Sequence, residues 1–174
     1  MSRVALIVGA SGQLGSLLAR SLLSRGDQVI GSSRSVESTD WWRHQYLGIT
    51  ADVERVSMLP EDFDDVLTCL GRHQPDDVFY LAGQSSVSLS FEKPFEAFTS
   101  NATAVVNVLE AIRSSGISTR FFNATSTDCF GNQPGVALDE TSPMRPVSPY
   151  AASKVASYWA TVNYRQNFAL HASN

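Results

Sequence analysis

Val4-Ala5-Leu6-Ile7-Val8 runs directly into Gly9-Ala10-Ser11-Gly12-Gln13-Leu14-Gly15, and the reading of this stretch decides the fold. Five apolar residues in a row suit a strand covered on both faces, as in a parallel sheet. Three glycines, each three apart, then permit a tight turn, close approach of backbone to a phosphate, and close packing of a helix on the strand. The helix that follows points its free N–H groups and positive dipole end at the turn, which suits a pyrophosphate. Over residues 12–24, Leu14, Leu17, Leu18 and Leu22 recur at helical spacing, and Gly26 supplies the stop. The plainer reading, an ordinary strand–helix turn, loses ground because the motif stands at the first junction of an alternating chain.

Outward from this start, apolar runs and helical patterns take turns. Strands are expected at 28–32, 45–50, 78–82 and 120–124. Helices are expected at 60–72, with Pro60 in the first turn, at 95–115, stopped by Gly116, and at 149–166. Such alternation predicts an α/β domain over residues 1–174, a Rossmann-like doubly wound parallel sheet. Trp41 and Trp42 read as local packing rather than a ligand platform.

Composition narrows the function classes. The 174 residues carry 13 basic and 17 acidic side chains, a net charge of -4, which offers no footprint for nucleic acid or an anionic membrane. No apolar run approaches the ~18 residues of a membrane helix. The apolar stretch at the start is too short for a signal core, so a cytoplasmic protein is expected. Two cysteines, Cys69 and Cys129, are too few for a disulfide framework, and Cys129 reads as a small core residue rather than a nucleophile. His44, His73 and His171 lie far apart with no metal-ligand spacing, which argues against a zinc hydrolase.

The end of the second strand speaks to cofactor choice. An NAD site would place Asp or Glu there to accept from the ribose 2′-hydroxyl. This chain has Gly31-Ser32-Ser33-Arg34, whose guanidinium and hydroxyls suit a 2′-phosphate, so NADP is expected over NAD. The bland alternative makes Arg34 a solvated loop charge.

Further along, Ser148-Pro149-Tyr150-Ala151-Ala152-Ser153-Lys154 combines an N-cap, a proline at the first helical position, and Tyr and Lys four apart on one helix face. A tyrosine is ordinarily a poor base at neutral pH, and a lysine ammonium one turn away favours its phenolate. Upstream, Ala124-Thr125-Ser126-Thr127-Asp128-Cys129-Phe130-Gly131 leaves the carboxyl end of a strand, where open parallel sheets bind ligands. Its hydroxyls suit a substrate oxygen and Asp128 suits acid/base work; a polar turn with capping side chains is the other reading.

With these motifs in place, nearly the whole chain resembles the N-terminal part of nucleotide-sugar dehydratases of the extended short-chain dehydrogenase/reductase family (NAD-dependent epimerase/dehydratases), the GDP-mannose 4,6-dehydratases above all. The resemblance rests also on Tyr80-Leu81-Ala82-Gly83-Gln84-Ser85-Ser86-Val87 and on Trp159-Ala160-Thr161-Val162-Asn163-Tyr164-Arg165. It implies that Ser126, Asp128, Tyr150 and Lys154 are catalytic. Asp128 stands where the family carries glutamate, one methylene longer, and Val8 where it carries threonine. A cofactor would be lined by Gly9, Ser11, Gly12, Gln13, Leu14, Gly15, Arg34, Asp52, Val53, Leu81, Ala82 and Gly83 with Tyr150 and Lys154. Asp52, taken to follow the third strand, would accept from the adenine amino group. Gln84, Ser85, Ser126 and Thr127 would meet the sugar.

The implied reaction is C4 oxidation, water loss across C5 and C6, and hydride return, on a nucleotide sugar expected to be GDP-linked, in a homo-oligomer. The resemblance also implies that the chain ends as the family enters a sixth strand, before its substrate domain. Two rivals stay open. A 4-keto-sugar reductase or epimerase fits Gly31 to Arg34 and Met144-Arg145-Pro146 about as well, and a non-catalytic NADP-binding module fits the short length.

Overall fold

Val4–Val8 does form the central strand, β1, and each of its neighbours runs parallel to it. The computed structural model describes residues 2–135 and 137–174. Strands β2 (Gln28–Ser33), β3 (Val53–Ser57), β4 (Asp77–Tyr80), β5 (Arg120–Asn123) and β6 (His171–Ser173) complete a parallel sheet in the order β3-β2-β1-β4-β5-β6. That order is the doubly wound Rossmann arrangement, with its reversal point between β1 and β4.

Alternation along β1 builds the two cores. Leu6 and Val8 pack with Val66 and Leu70 of α3 (Phe63–His73) and with Val105 and Leu109 of α6 (Ala104–Ser115). Ala5 and Ile7 pack on the other face with Ala19 and Leu22 of α1 (Gln13–Ser24) and with Trp41, which precedes α2 (Trp42–Tyr46). The last helix, α7 (Pro149–Phe168), starts where its cap predicts: Ser148 Oγ accepts from Ala151 N–H at 3.0 Å.

Several elements differ from expectation. The third strand is not at 45–50. That stretch holds the end of α2 and a turn whose Ile49 is buried beneath it, while β3 begins only at Val53. Pro60 precedes its helix instead of opening it, since Asp62 is the cap and its carboxylate accepts from Asp65 N–H at 3.0 Å. The segment 95–115 is not one helix. A short α5 (Pro94–Phe98) passes through a π-helical turn (Thr99–Thr103) into α6. A further short helix, α4 (Val87–Glu92), is capped by Ser86, whose Oγ accepts from Leu89 N–H at 3.2 Å.

Candidate active site

The glycine turn leaves β1 with Gly9 at φ +90°, a conformation that suits glycine, and a side chain there would lie 2.9 Å from Ala82 N at the exit of β4. Gly9 N–H and Ala10 N–H both donate to Ser32 O at 3.2 Å, tying the turn to the end of β2. A side chain at Gly15 would overlap the Gly9 carbonyl oxygen, so this glycine lets α1 close on the turn. The first bond of α1 is Ser16 N–H to Gly12 O at 3.0 Å. The amides of Gln13, Leu14 and Gly15 are thus those a helix leaves for water, caps or an anion.

A cleft of about 850 Å³ opens at this carboxyl edge, lined by Gly9, Ser11 and Gly12, by Ser32 to Arg34, by Met58 to one side, and by Leu81 to Gln84 to the other. Its dimensions and its position at the sheet's reversal point suit a dinucleotide. Ser32 Oγ and Ser33 Oγ are buried without a hydrogen-bond partner, beside the exposed Arg34. Buried hydroxyls without a partner are costly, and a ligand bearing acceptor oxygens would satisfy both.

Asp52 and Val53 stand elsewhere. Val53 pairs with Val29 early in β2, so both lie toward the amino edge, and Val53 is packed in the core. The expectation that Asp52 follows the third strand is corrected because the strand starts after it. Met58, Pro60 and the exposed Glu61 are the residues that follow β3 along the cleft. Gln13 and Leu14 are exposed at the first turn of α1.

On the far side, Gly83 has φ +130° and a side chain there would overlap Asn101 Oδ1. Asn101 sits in the π-helical turn, 0% exposed, and donates through Nδ2 to Gln84 O at 2.9 Å and Ser153 Oγ at 3.2 Å. It ties the β4 exit to α7, and its Oδ1 has no partner. π-Helical turns often mark functional sites, but nothing in the spacing announces one. Gln84 lines the cleft, with Nε2 donating to Ser86 O at 2.8 Å, while Ser85 is exposed.

Tyr150 and Lys154 are both buried on the first turns of α7. Lys154 Nζ donates to Ala124 O at 2.9 Å, which brings α7 against the segment that leaves β5. Burial pulls the Lys154 ammonium below its ordinary pKa. In that segment Ser126 Oγ accepts from Asp128 N–H at 3.2 Å, capping a 3₁₀ turn (Thr127–Phe130). The serine acts as a cap and still keeps its hydroxyl hydrogen to donate. Thr127 and Asp128 are exposed, and Asp128 lines a separate cavity of about 290 Å³ with Val87, Phe91, Val147, Ser148 and Ala151. Tyr150 and Lys154 line neither cavity. Cys129 is buried, and burial pushes its thiol up, as a packing residue requires.

The family model for GDP-mannose 4,6 dehydratase matches residues 6–174. The chain belongs to this family. Among its relatives, a GDP-mannose 4,6-dehydratase of Sinorhizobium fredii is 38% identical over 99% of this chain and 51% of its own. One of Vibrio cholerae is 34% identical over 100% of this chain and 49% of its own. The solved UDP-glucose 4-epimerase of Thermus thermophilus, in complex with NAD, is 30% identical and superposes with a TM-score of 0.84 over 96% of this chain and 52% of that one. The chain therefore spans about half the length of the family members it matches. Among the described residues no helix is long and apolar enough to cross a membrane, and no cluster of three or more His, Cys, Asp or Glu is arranged to hold a metal ion.

Proposed function

We propose that the chain is the cofactor-binding half of an NADP-dependent nucleotide-sugar 4,6-dehydratase acting on a GDP-linked hexose. The match of residues 6–174 to the dehydratase family carries the reading. Support for NADP comes from the unpartnered hydroxyls of Ser32 and Ser33 beside Arg34, which suit the acceptor oxygens of a 2′-phosphate. Gly9, Ser11 and Gly12 would hold the pyrophosphate, and Ala82 and Gly83 would flank the nicotinamide half.

In this reading Tyr150, with the Lys154 ammonium one helical turn away, takes the proton of the sugar C4 hydroxyl. Ser126 donates its hydroxyl hydrogen to the same oxygen. Asp128 removes the C5 proton, and water leaves from C6. A dinucleotide held in the cleft would supply reversible hydride acceptance, so that the reaction would carry no net redox change. General acid–base groups of this kind typically contribute ~10²–10⁴-fold.

Redox balance tests the reading. The purified protein, given GDP-mannose and far less NADP than sugar, is expected to complete many turnovers with no NADPH supplied. No turnover of GDP-mannose, with one NADPH consumed per sugar when the 4-keto nucleotide sugar is supplied, would make it a 4-keto-sugar reductase instead.

A further inference from the structure

The short helix α2 holds two adjacent carbonyls of the glycine turn. His44 is 0% exposed, and its Nε2 lies 2.9 Å from Ala10 O. A carbonyl only accepts, so Nε2 carries the hydrogen. The next residue of the turn is held from the same helix: Arg43 Nη1 donates to Ser11 O at 3.3 Å.

Both side chains are themselves fixed. The His44 ring meets the buried Trp41 ring edge-on at 4.7 Å between centroids, and Trp41 Nε1 donates to Val36 O at 3.2 Å. The Arg43 guanidinium lies 4.4 Å from the Trp42 ring centroid, a cation–π contact. His44 Nδ1 is buried with no partner, a cost that a purely structural contact would be expected to avoid.

A trans peptide is planar, with its C=O and N–H pointing in opposite directions. Holding the Ala10 carbonyl therefore sets the direction of Ser11 N–H, and holding the Ser11 carbonyl orients Gly12 N–H, which donates to Gly9 O at 3.2 Å and closes the turn. Ser11 and Gly12 both line the large cleft. We infer that α2 is a clamp on the phosphate turn, in which His44 and Arg43 are positioning residues that aim the Ser11 amide and hold the Gly9–Gly12 turn closed for the pyrophosphate of a dinucleotide. The inference rests on the dinucleotide reading given above. It adds that affinity for the pyrophosphate is set from beneath the turn, by side chains with no need to touch the ligand.

Titration calorimetry with three probes separates this role from a general packing role. NADP and ADP carry a pyrophosphate, whereas adenosine 2′-monophosphate does not. His44→Leu is expected to weaken NADP and ADP about 3- to 10-fold, the range that one net hydrogen bond implies, and to leave adenosine 2′-monophosphate unchanged. His44→Gln, which restores an N–H donor, is expected to recover most of the loss. Should His44→Leu fail to fold, Arg43→Ala, at a half-buried position, is expected to give the same selective loss. Equal weakening of all three probes, or none, overturns the clamp while leaving the cofactor reading in place. Failure of the unmutated protein to bind any dinucleotide overturns both.

Discussion

Arg34 shows how much a single residue can say and where it stops. Its place after β2 is legible from the sequence because no acidic residue competes at Ser32 or Ser33. The structure adds that both hydroxyls are buried without partners beside the cleft. A charge-assisted hydrogen bond contributes about 1.5–3 kcal/mol, so Arg34→Ala is expected to weaken NADP by about tenfold or more and to leave NAD nearly unchanged. Equilibrium titration with both cofactors checks this, and equal affinity of the unmutated protein for the two would remove the assignment. Asp52 departs from expectation for a concrete reason. Gln45 to Thr50 reads as a strand, yet its Ile49 packs under a turn, and the true strand follows. Asn101 escapes a sequence reading altogether, because a buried asparagine in a helix-like segment looks like any solvated one until its partners are known.

At the scale of elements, the amino edge of the sheet is tied by charge and the carboxyl edge is left open for ligands. Asp77, at the start of β4 and 5% exposed, accepts from Arg3 before β1 and from Arg120 at the start of β5. Burial works to raise its carboxyl, but the hydrogen bonds from Arg120 and Arg3 outweigh that and hold it below the ordinary value. A folded value below the unfolded one means that the stabilisation is complete above about pH 4 and is lost as pH falls further. The Arg3 and Arg120 side chains remain 38% and 49% exposed, which screens the pairs. Asp77→Asn is thus expected to cost about 1–2 kcal/mol at pH 7 and less below pH 4, as read by thermal unfolding across pH. The same cost at pH 3 as at pH 7 would contradict this assignment. Strands β1, β2, β4 and β5 are legible from apolar runs. β3 is not, since Val53–Ser57 sets two adjacent charged residues, Glu54 and Arg55, between its two valines at a sheet edge and only Val53 is fully buried. The π-helical turn is hidden too. It departs from the period of 3.6 for five residues, and the apolar positions on either side still read as one helix.

Across the whole molecule, the sheet order and the two cores follow from the pattern of residues, while the proposed substrate rests on kinship. The glycine turn, the β2 end and the Tyr150–Lys154 helix are readable because each joins a backbone requirement to a chemical one. Recognition of a nucleotide sugar has no such local signature in these residues, and the chain covers about half the length of its relatives. The structure also keeps Asp128 in a cavity apart from the cleft, with Tyr150 in neither, so the proposed reaction requires a sugar that spans the space between them. Dehydration requires that a carbon-bound proton leave C5, whereas 4-keto reduction does not. Turnover of GDP-mannose in heavy water, read by mass spectrometry and proton resonance, tests this most directly. The expected product is lighter by one water and carries deuterium at C5, with Asp128→Asn slowing its formation about 10²–10⁴-fold. Equal labelling by Asp128→Asn at the unmutated rate would rule out Asp128 as the base, and a product that retains the original C5 hydrogen would contradict the dehydratase reading itself.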